Sequence, residues 1–291
     1  MIEDNLYGSF QVSALVEELL ENPAVKRLKN IHQGGGIFLV NPTLTLTRYE
    51  HSVGVMLLIQ RLGGNELEQV AGLLHDISHT AFSHVTDYVF DHPGEDYHEE
   101  IYGRILSASG IPEILEKHGY TVQELTGQDF KILEQPLPDL CADRIDYSLR
   151  DLFYAGFITM KEIQRFLSSM TIHEGRIMIT SLAQAKWIKK KYEILNLEYF
   201  GKQEHLYANE RLTEILKYLF QKKVISKGDF EKDDIQLLNQ IEADPVGKQR
   251  IEEIKRFKDY EEYTPGFSLK HRVIDPELYI DGKYSRLSDK G

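Results

Sequence analysis

Residues 71–84 read Ala-Gly-Leu-Leu-His-Asp-Ile-Ser-His-Thr-Ala-Phe-Ser-His. His75, His79, His84 and Asp76 fall within ten residues, beside an apolar run that demands burial. Four residues separate His75 from His79, so on a helix both rings project from one face. Asp76 diverges from His75 by about 100° on an ideal helix, but near a helix end both reach one cation. Imidazole with carboxylate suits a first-row transition metal better than magnesium or calcium alone. A lone histidine here would read as half-buried and hydrogen-bonded; this density beside an acid reads as a metal site.

Composition bounds the rest. The 291 residues suffice for one large or two modest domains. Apolar residues at 42% with 27% charged are ordinary for a soluble globular protein. A net charge of −12 repels nucleic acid, and the densest basic stretch, Lys186 to Lys191, is a short solvated helix face. Duplex DNA or RNA is therefore an unfavoured partner. Cys141 is the single cysteine, which excludes an internal disulfide framework and a multi-cysteine zinc site. No apolar stretch approaches a membrane span and the first residues make no signal peptide, so the expected compartment is the cytoplasm.

Working outward, residues 1–10 read as an extended arm, Ser13 as a helix cap, and Pro23 as the first turn of the next helix. Gly34-Gly35-Gly36 is a chain-reversing loop rather than a phosphate cradle, since no GKS or GKT ending follows. The β-branched and aliphatic residues 37–47 read as extended. Arg48-Tyr49-Glu50-His51-Ser52 then opens a helix buried on most sides. His51 either bonds locally or points into a site, and a metal still needing ligands makes it the natural candidate. His98 and Glu99 head another helix, either as a solvated start or as servants of the site. Amphipathic helices are expected at Ile111–His118 and Thr121–Leu133.

Downstream, Met170 to Leu182 alternates around Glu174-Gly175 as a β-hairpin, and helices are expected at about 183–200, 203–222 and within 228–258. Tyr192, Tyr199 and Tyr207 recur at spacings that suit core packing. The segment from Gly266 to Gly291 reads as extended, with a turn at Ile280-Asp281-Gly282-Lys283. A third charged stretch, Asp139 to Asp151, carries Leu140, Ile145 and Leu149 as a buried stripe. Its Asp143, Asp146 and Arg150 fall three to four apart, which equally describes a surface salt-bridge ladder.

His51, the His75-Asp76 pair and Asp143, in that order, resemble the H…HD…D signature of the HD-domain phosphohydrolases. Arg48 to Val55, Leu74 to His84 and Asp143 to Asp151 are similar to the family's three extended motifs. Arg27-Leu28 and Gln33 to Gly36 also resemble the branch that hydrolyses deoxynucleoside triphosphates. The likeness covers roughly residues 1–160, the expected catalytic core with its N-terminal arm. Residues 161–291 are then an accessory helical and hairpin region packed on it.

The resemblance implies a mainly α fold, an HD-domain helical bundle with a small β-hairpin and an extended C-terminal segment. It implies one divalent transition metal (manganese, iron, cobalt, nickel or zinc) on His51, His75, Asp76 and Asp143. Magnesium arriving with a nucleotide stays open, as does assembly into a homo-oligomer. By analogy His79 and His84 contact phosphate or protonate the leaving group, and His98 with Glu99 is a supporting acid pair. Arg48 and Arg144 are implied phosphate clamps, while Tyr147, Asp151, Gln33 and Tyr199 face the sugar.

Departures from that branch are specific. Arg144 stands where its members carry lysine, and Glu21, Lys26 and Lys29 do not match their nucleotide-regulation residues. Gly201 replaces a histidine expected two residues after Tyr199. Three readings follow: a triphosphohydrolase of deoxynucleoside triphosphates, a phosphomonoesterase or phosphodiesterase, and a non-catalytic metal- or nucleotide-binding sensor.

Overall fold

Small polar side chains close the open N–H groups at the start of most helices in this computed structural model, which describes residues 1–92, 94–266 and 272–290. The N-terminal arm is extended and paired, with β1 (Ile2–Asp4) antiparallel to β2 (Gly8–Phe10). Ser13 Oγ accepts from Val16 N at 3.3 Å to start α1 (Ala14–Glu21). Asn22 Oδ1 accepts from Ala24 N at 2.8 Å to start α2 (Pro23–Arg27). Full capping boxes, Thr47 with Glu50 and Asn65 with Glu68, open α3 (Arg48–Arg61) and α4 (Glu66–Leu74). At Gly72 an added Cβ would stand 2.6 Å from Ile59 Cδ1, so the missing side chain is what lets α3 and α4 lie together.

The chain continues through α5 (Val85–Val89), α6 (Tyr97–Ala108), α7 (Ile111–Lys117) and α8 (Val122–Thr126). Next come α9 (Ala142–Tyr154), α10 (Met160–Leu167), and the hairpin β3 (Met170–His173) and β4 (Arg176–Ile179). Beyond lie α11 (Leu182–Ile194), α12 (Gln203–Gln221), α13 (Asp234–Ala243) and α14 (Pro245–Arg256). The C-terminal segment is extended as expected, and it contributes β5 (Glu277–Ile280) and β6 (Lys283–Arg286) to a four-stranded sheet ordered β3-β4-β5-β6. The β4–β5 contact is parallel, with Ile179 opposite Leu278, and the other two pairs are antiparallel. Residues 267–271 and 291 of that segment lie outside the described residues, as does Pro93 in the loop after α5.

Two apolar clusters form. One gathers α1, α3, α4, α9, α10, α11 and the sheet; the other gathers α12, α13 and α14 around Phe82, Val85 and Val89. The segment 75–84 runs along the seam between them, with Ile77 in the first and Ala81 and Phe82 in the second. Among the described residues, no helix is long and apolar enough to cross a membrane.

Four local expectations need correction. Residues 37–47 are not a strand: Ile37–Leu39 is a 3₁₀ turn, and only Thr47 pairs, with His32. Ile37 and Leu39 are apolar because they are buried, and Pro42 brings no N–H to a ladder. The helix expected to reach Leu133 ends at Thr126, followed by Gly127. The long helix after Ser181 widens into a π-turn at Leu195–Phe200 before Gly201. Finally, Asp146 and Arg150 are no surface ladder, since both are fully buried.

Candidate metal centre

Three helices aim donors at one point. His51 lies in the first turn of α3, His75 caps the C-terminus of α4, and Asp143 sits in the first turn of α9. Helix α4 ends at Leu74, so His75, Asp76 and His79 are arranged by successive turns rather than along one helix face. His51 Nε2 is 3.0 Å from Asp143 Oδ1 and 3.8 Å from Asp76 Oδ2. His75 Nε2 is 3.4 Å from Asp76 Oδ1 and 3.6 Å from Asp143 Oδ1. Donors about 2.0–2.2 Å from a shared cation stand roughly 3–4 Å apart, which is the spacing found.

The remaining nitrogens settle which lone pairs face inward. His75 Nδ1 donates to Gly72 O at 2.8 Å, leaving Nε2 a bare acceptor that is buried without a hydrogen-bond partner. A buried polar atom left open in this way calls for a ligand. His51 Nδ1 donates to Asp146 Oδ2 at 2.8 Å, the carboxylate-behind-imidazole arrangement that orients metal-binding histidines. Asp146 is itself held by Arg150 at 2.8 Å, and Arg150 by Asp4 at 3.0 Å. An added Cβ at Gly54 would meet Arg150 Nη2 at 2.0 Å and Asp146 Oδ1 at 2.2 Å, so α3 passes this pair only as glycine. Burial disfavours a charged His51, yet Asp143, Asp146 and Asp76 outweigh it and push the imidazole up to about 10. The cluster therefore draws positive charge, and the two-imidazole, two-carboxylate set fits a divalent transition ion.

Arg48 is buried, with Nη1 2.7 Å from Asp76 Oδ2 and Nε donating to Ser83 Oγ at 3.0 Å. Arg144 is anchored on the carbonyls of Gln135 and Asp139 and on Cys141 Sγ. Both guanidiniums still contribute to the cavity wall. His79 Nε2 is 3.3 Å from Asp76 Oδ1, and its ring stacks on His98 at 3.9 Å. Burial, then Arg48 and His98, holds His79 well below the usual histidine range; burial and His84 hold His98 down to about 4. His84, partly exposed, places Nδ1 3.0 Å from Asp87 Oδ2. Glu99 is exposed at the rim.

Strain and long-range bonds position this segment. Phe82 and Ser83 both take left-handed backbone conformations, with φ of 60° and 51°. Asp234 Oδ1 accepts from Phe82 N at 2.6 Å, and Ala81 N donates to Phe230 O at 2.8 Å. Arg27 Nη2 donates to the carbonyls of Ile77 and His79, both at 2.8 Å.

The donors line part of a cavity of about 460 Å³, and Gln33, Tyr147, Asp151, Tyr192 and His205 line another part, with the Tyr147 ring centroid 6.5 Å from that of His51. Tyr199 stands behind that wall; burial and the adjacent Asp151 push its hydroxyl well above the usual range. Asp146, Arg150, Asp87, Asp234 and His205 carry the geometry without having been singled out as site residues. Only the first two left a signal, the three-to-four spacing after Asp143.

Residues 48–151 match the sequence profile of the family described as HD domain. The uncharacterized protein YdhJ of Bacillus subtilis is 42% identical over 300 residues, covering 99% of this chain and 91% of its own. The metal-dependent phosphohydrolase cns2 of Cordyceps militaris is 33% identical, covering 97% and 86%. The human deoxynucleoside triphosphate triphosphohydrolase SAMHD1 is 24% identical over 67% of this chain, which spans 40% of that protein. A hypothetical protein from Aquifex aeolicus has the same fold in its crystal structure, with a TM-score of 0.75 at 23% identity over 100% of this chain and 91% of its own.

Proposed function

The chain belongs to the HD-domain family of metal-dependent phosphohydrolases, and on that premise we propose that it hydrolyses a phosphate ester of a nucleotide. The observation that carries this reading is the open Nε2 of His75, which clusters with His51 and Asp76 and lies 3.6 Å from Asp143 Oδ1 in the wall of a nucleotide-sized cavity. When bound there, a divalent ion supplies a Lewis acid and makes water acidic enough to ionise near neutral pH.

The chain's own residues do the rest. Asp146 and Gly72 O fix the two imidazole tautomers, and Arg48 holds Asp76 in place against the Ser83 hydroxyl. His84 is the proposed proton donor to the leaving-group oxygen. Asp87 takes its Nδ1–H and steadies the imidazolium, which leaves Nε2 to carry the transferred proton. His79 and His98, both kept neutral by burial, can each donate one ring N–H to phosphate oxygens. Tyr147, Asp151 and Gln33, all in the cavity wall, face the sugar in this reading.

Hydrolysis of deoxynucleoside triphosphates with release of triphosphate uses the same centre, and the resemblance to that branch favours it. One observation favours a single-phosphate substrate instead. The cavity wall carries six acids and three arginines, and Arg48 and Arg144 are committed to protein partners. A divalent ion nearly balances that wall, and one phosphate ester adds about −1.5 to −2. No positive charge is left over with the ion in place, so every further phosphate adds repulsion and a single phosphate costs least.

Purified protein with manganese, offered ribo- and deoxynucleoside mono- and triphosphates, tests the proposal. Inorganic phosphate as product supports the single-phosphate reading, and intact triphosphate supports the other. Metal-loaded protein that turns over none of them defeats the nucleotide assignment.

A further inference from the structure

The far end of the cavity holds buried acceptors that the protein leaves open. Asp151 Oδ1 and His205 Nε2 are each buried without a hydrogen-bond partner, Glu204 Oε1 standing 3.6 Å from the latter, and both residues line the cavity. His205 belongs to α12, where it is 2% exposed. Its Nδ1 is 2.8 Å from the carbonyl of Tyr199, so Nδ1 carries the hydrogen and Nε2 can only accept in the neutral ring. Burial holds that imidazole down to about 4, keeping it neutral at physiological pH.

The two acceptors belong to one wall. Tyr199 connects them: its backbone carbonyl accepts from His205 Nδ1 and its hydroxyl faces the Asp151 carboxyl, whose Oδ1 stays open. Asn209, one turn beyond His205 on the same face of α12, accepts from Gly36 N at 2.7 Å and donates to Gly34 O at 3.3 Å. That pins the helix face to the loop carrying Gln33, whose Oε1 is also buried and open. Open acceptors at one end of a cavity ask for donors on the ligand.

We infer that the organic half of the substrate presents at least two hydroxyl donors, to Asp151 and His205, so that a ribose is preferred to a 2′-deoxyribose. The inference rests on the proposed nucleotide reading for the identity of the sugar, and His205 is its new specificity-determining residue. A site built to pair a hydroxyl rejects the analogue lacking it, because the buried acceptor is then left open. The choice falls on the sugar and not the base, since Asp151 follows the metal-binding turn of α9 by only two helical turns.

Matched ribo-, 2′-deoxy- and 3′-deoxynucleotides of one base and phosphate number, with manganese-loaded protein, read the preference. The expected kcat/KM ratio of ribo to 2′-deoxy is about 100-fold or more. In His205→Phe the ratio falls to within about tenfold through loss of the ribo rate, and His205→Gln, which restores an acceptor, recovers part of it. Equal rates for ribo and 2′-deoxy substrates, or an unchanged ratio in His205→Phe, overturn the inference.

A binding measurement separates this outcome from failure of the nucleotide reading. Ribose 5-phosphate should raise the Tm of the manganese-loaded protein more than 2-deoxyribose 5-phosphate does. If it does so while no nucleotide is turned over, the nucleotide reading fails and the inference stands. Equal shifts, including none, overturn the inference itself.

Discussion

At the proposed metal end of the cavity His51 and His75 are braced from behind, whereas elsewhere in its wall polar groups are buried and left open. His51 leans on Asp146, Arg150 and Asp4 in succession, and His75 on a backbone carbonyl. Asp151 and His205 have no such completion at Oδ1 and Nε2. One end is the proposed cation site, its histidines held in place by the protein. The other carries a desolvation cost that only a ligand relieves.

The largest expected effect comes from deleting a donor at the braced end. Asp143→Ala should lose bound metal on dialysis, measured by elemental analysis, with activity down about 10³-fold or more. Metal content equal to wild type would remove Asp143 from the ligand set and move the contrast elsewhere. Asp146→Asn keeps the shape behind His51 but removes its charge, and should weaken metal binding about 10–100-fold in a competition with a chelator. The fold should survive this change, because Arg150 keeps Asp4 as a partner at 3.0 Å.

Gly54→Ala attacks the same brace from the other side. Its new methyl must displace Arg150 or Asp146, at a cost of roughly 1–3 kcal/mol for overpacking. Metal affinity and Tm should therefore fall together, whereas Asp146→Asn lowers chiefly the affinity. A Gly54→Ala protein with native Tm and native affinity would show that α3 and α9 can part without consequence. That would end the claim of rigidity.

The same division explains what was legible beforehand. The metal end is written in short motifs: His75 and Asp76 are adjacent, His51 opens a capped helix, and Asp143 begins an amphipathic one. The helical class, the hairpin at Met170 and the cap at Ser13 follow from equally local rules. The far end has no such signature. His205 shares a cavity wall with Asp151 only because α12 folds back across 54 positions of chain, and nothing near either residue announces it. Asp234 likewise reaches Phe82 across a separation of 152 residues. Asp146 was visible as a spacing, but spacing alone does not say whether a charged pair is solvated or buried. Residues 37–47 show the converse: buried aliphatic residues imitate a strand when a loop is packed rather than paired.

The smallest effect is the one that reads the open end directly. Burial, working against the lesser pull of His51 and Arg48, pushes the Asp151 carboxyl up to about 7 in the folded protein. In the unfolded chain it titrates at an ordinary carboxyl value of about 3.9. Between these values the folded state holds a proton that the unfolded state has lost, so this group's contribution to stability declines as pH rises through that window. Asp151→Asn stays neutral throughout. Relative to wild type it should be nearly neutral for Tm at pH 4 and gain progressively to a plateau of about a few degrees above pH 7. Taking the difference at each pH cancels the titration of every other group. The same substitution replaces an accepting oxygen pair by an amide and should lower affinity for ribose 5-phosphate, so stability and binding move in opposite directions. A Tm difference that is flat with pH, or negative at pH 8, would mean the carboxylate is ionised and satisfied within the protein. The far end would then be braced like the metal end, and the contrast between them would be lost.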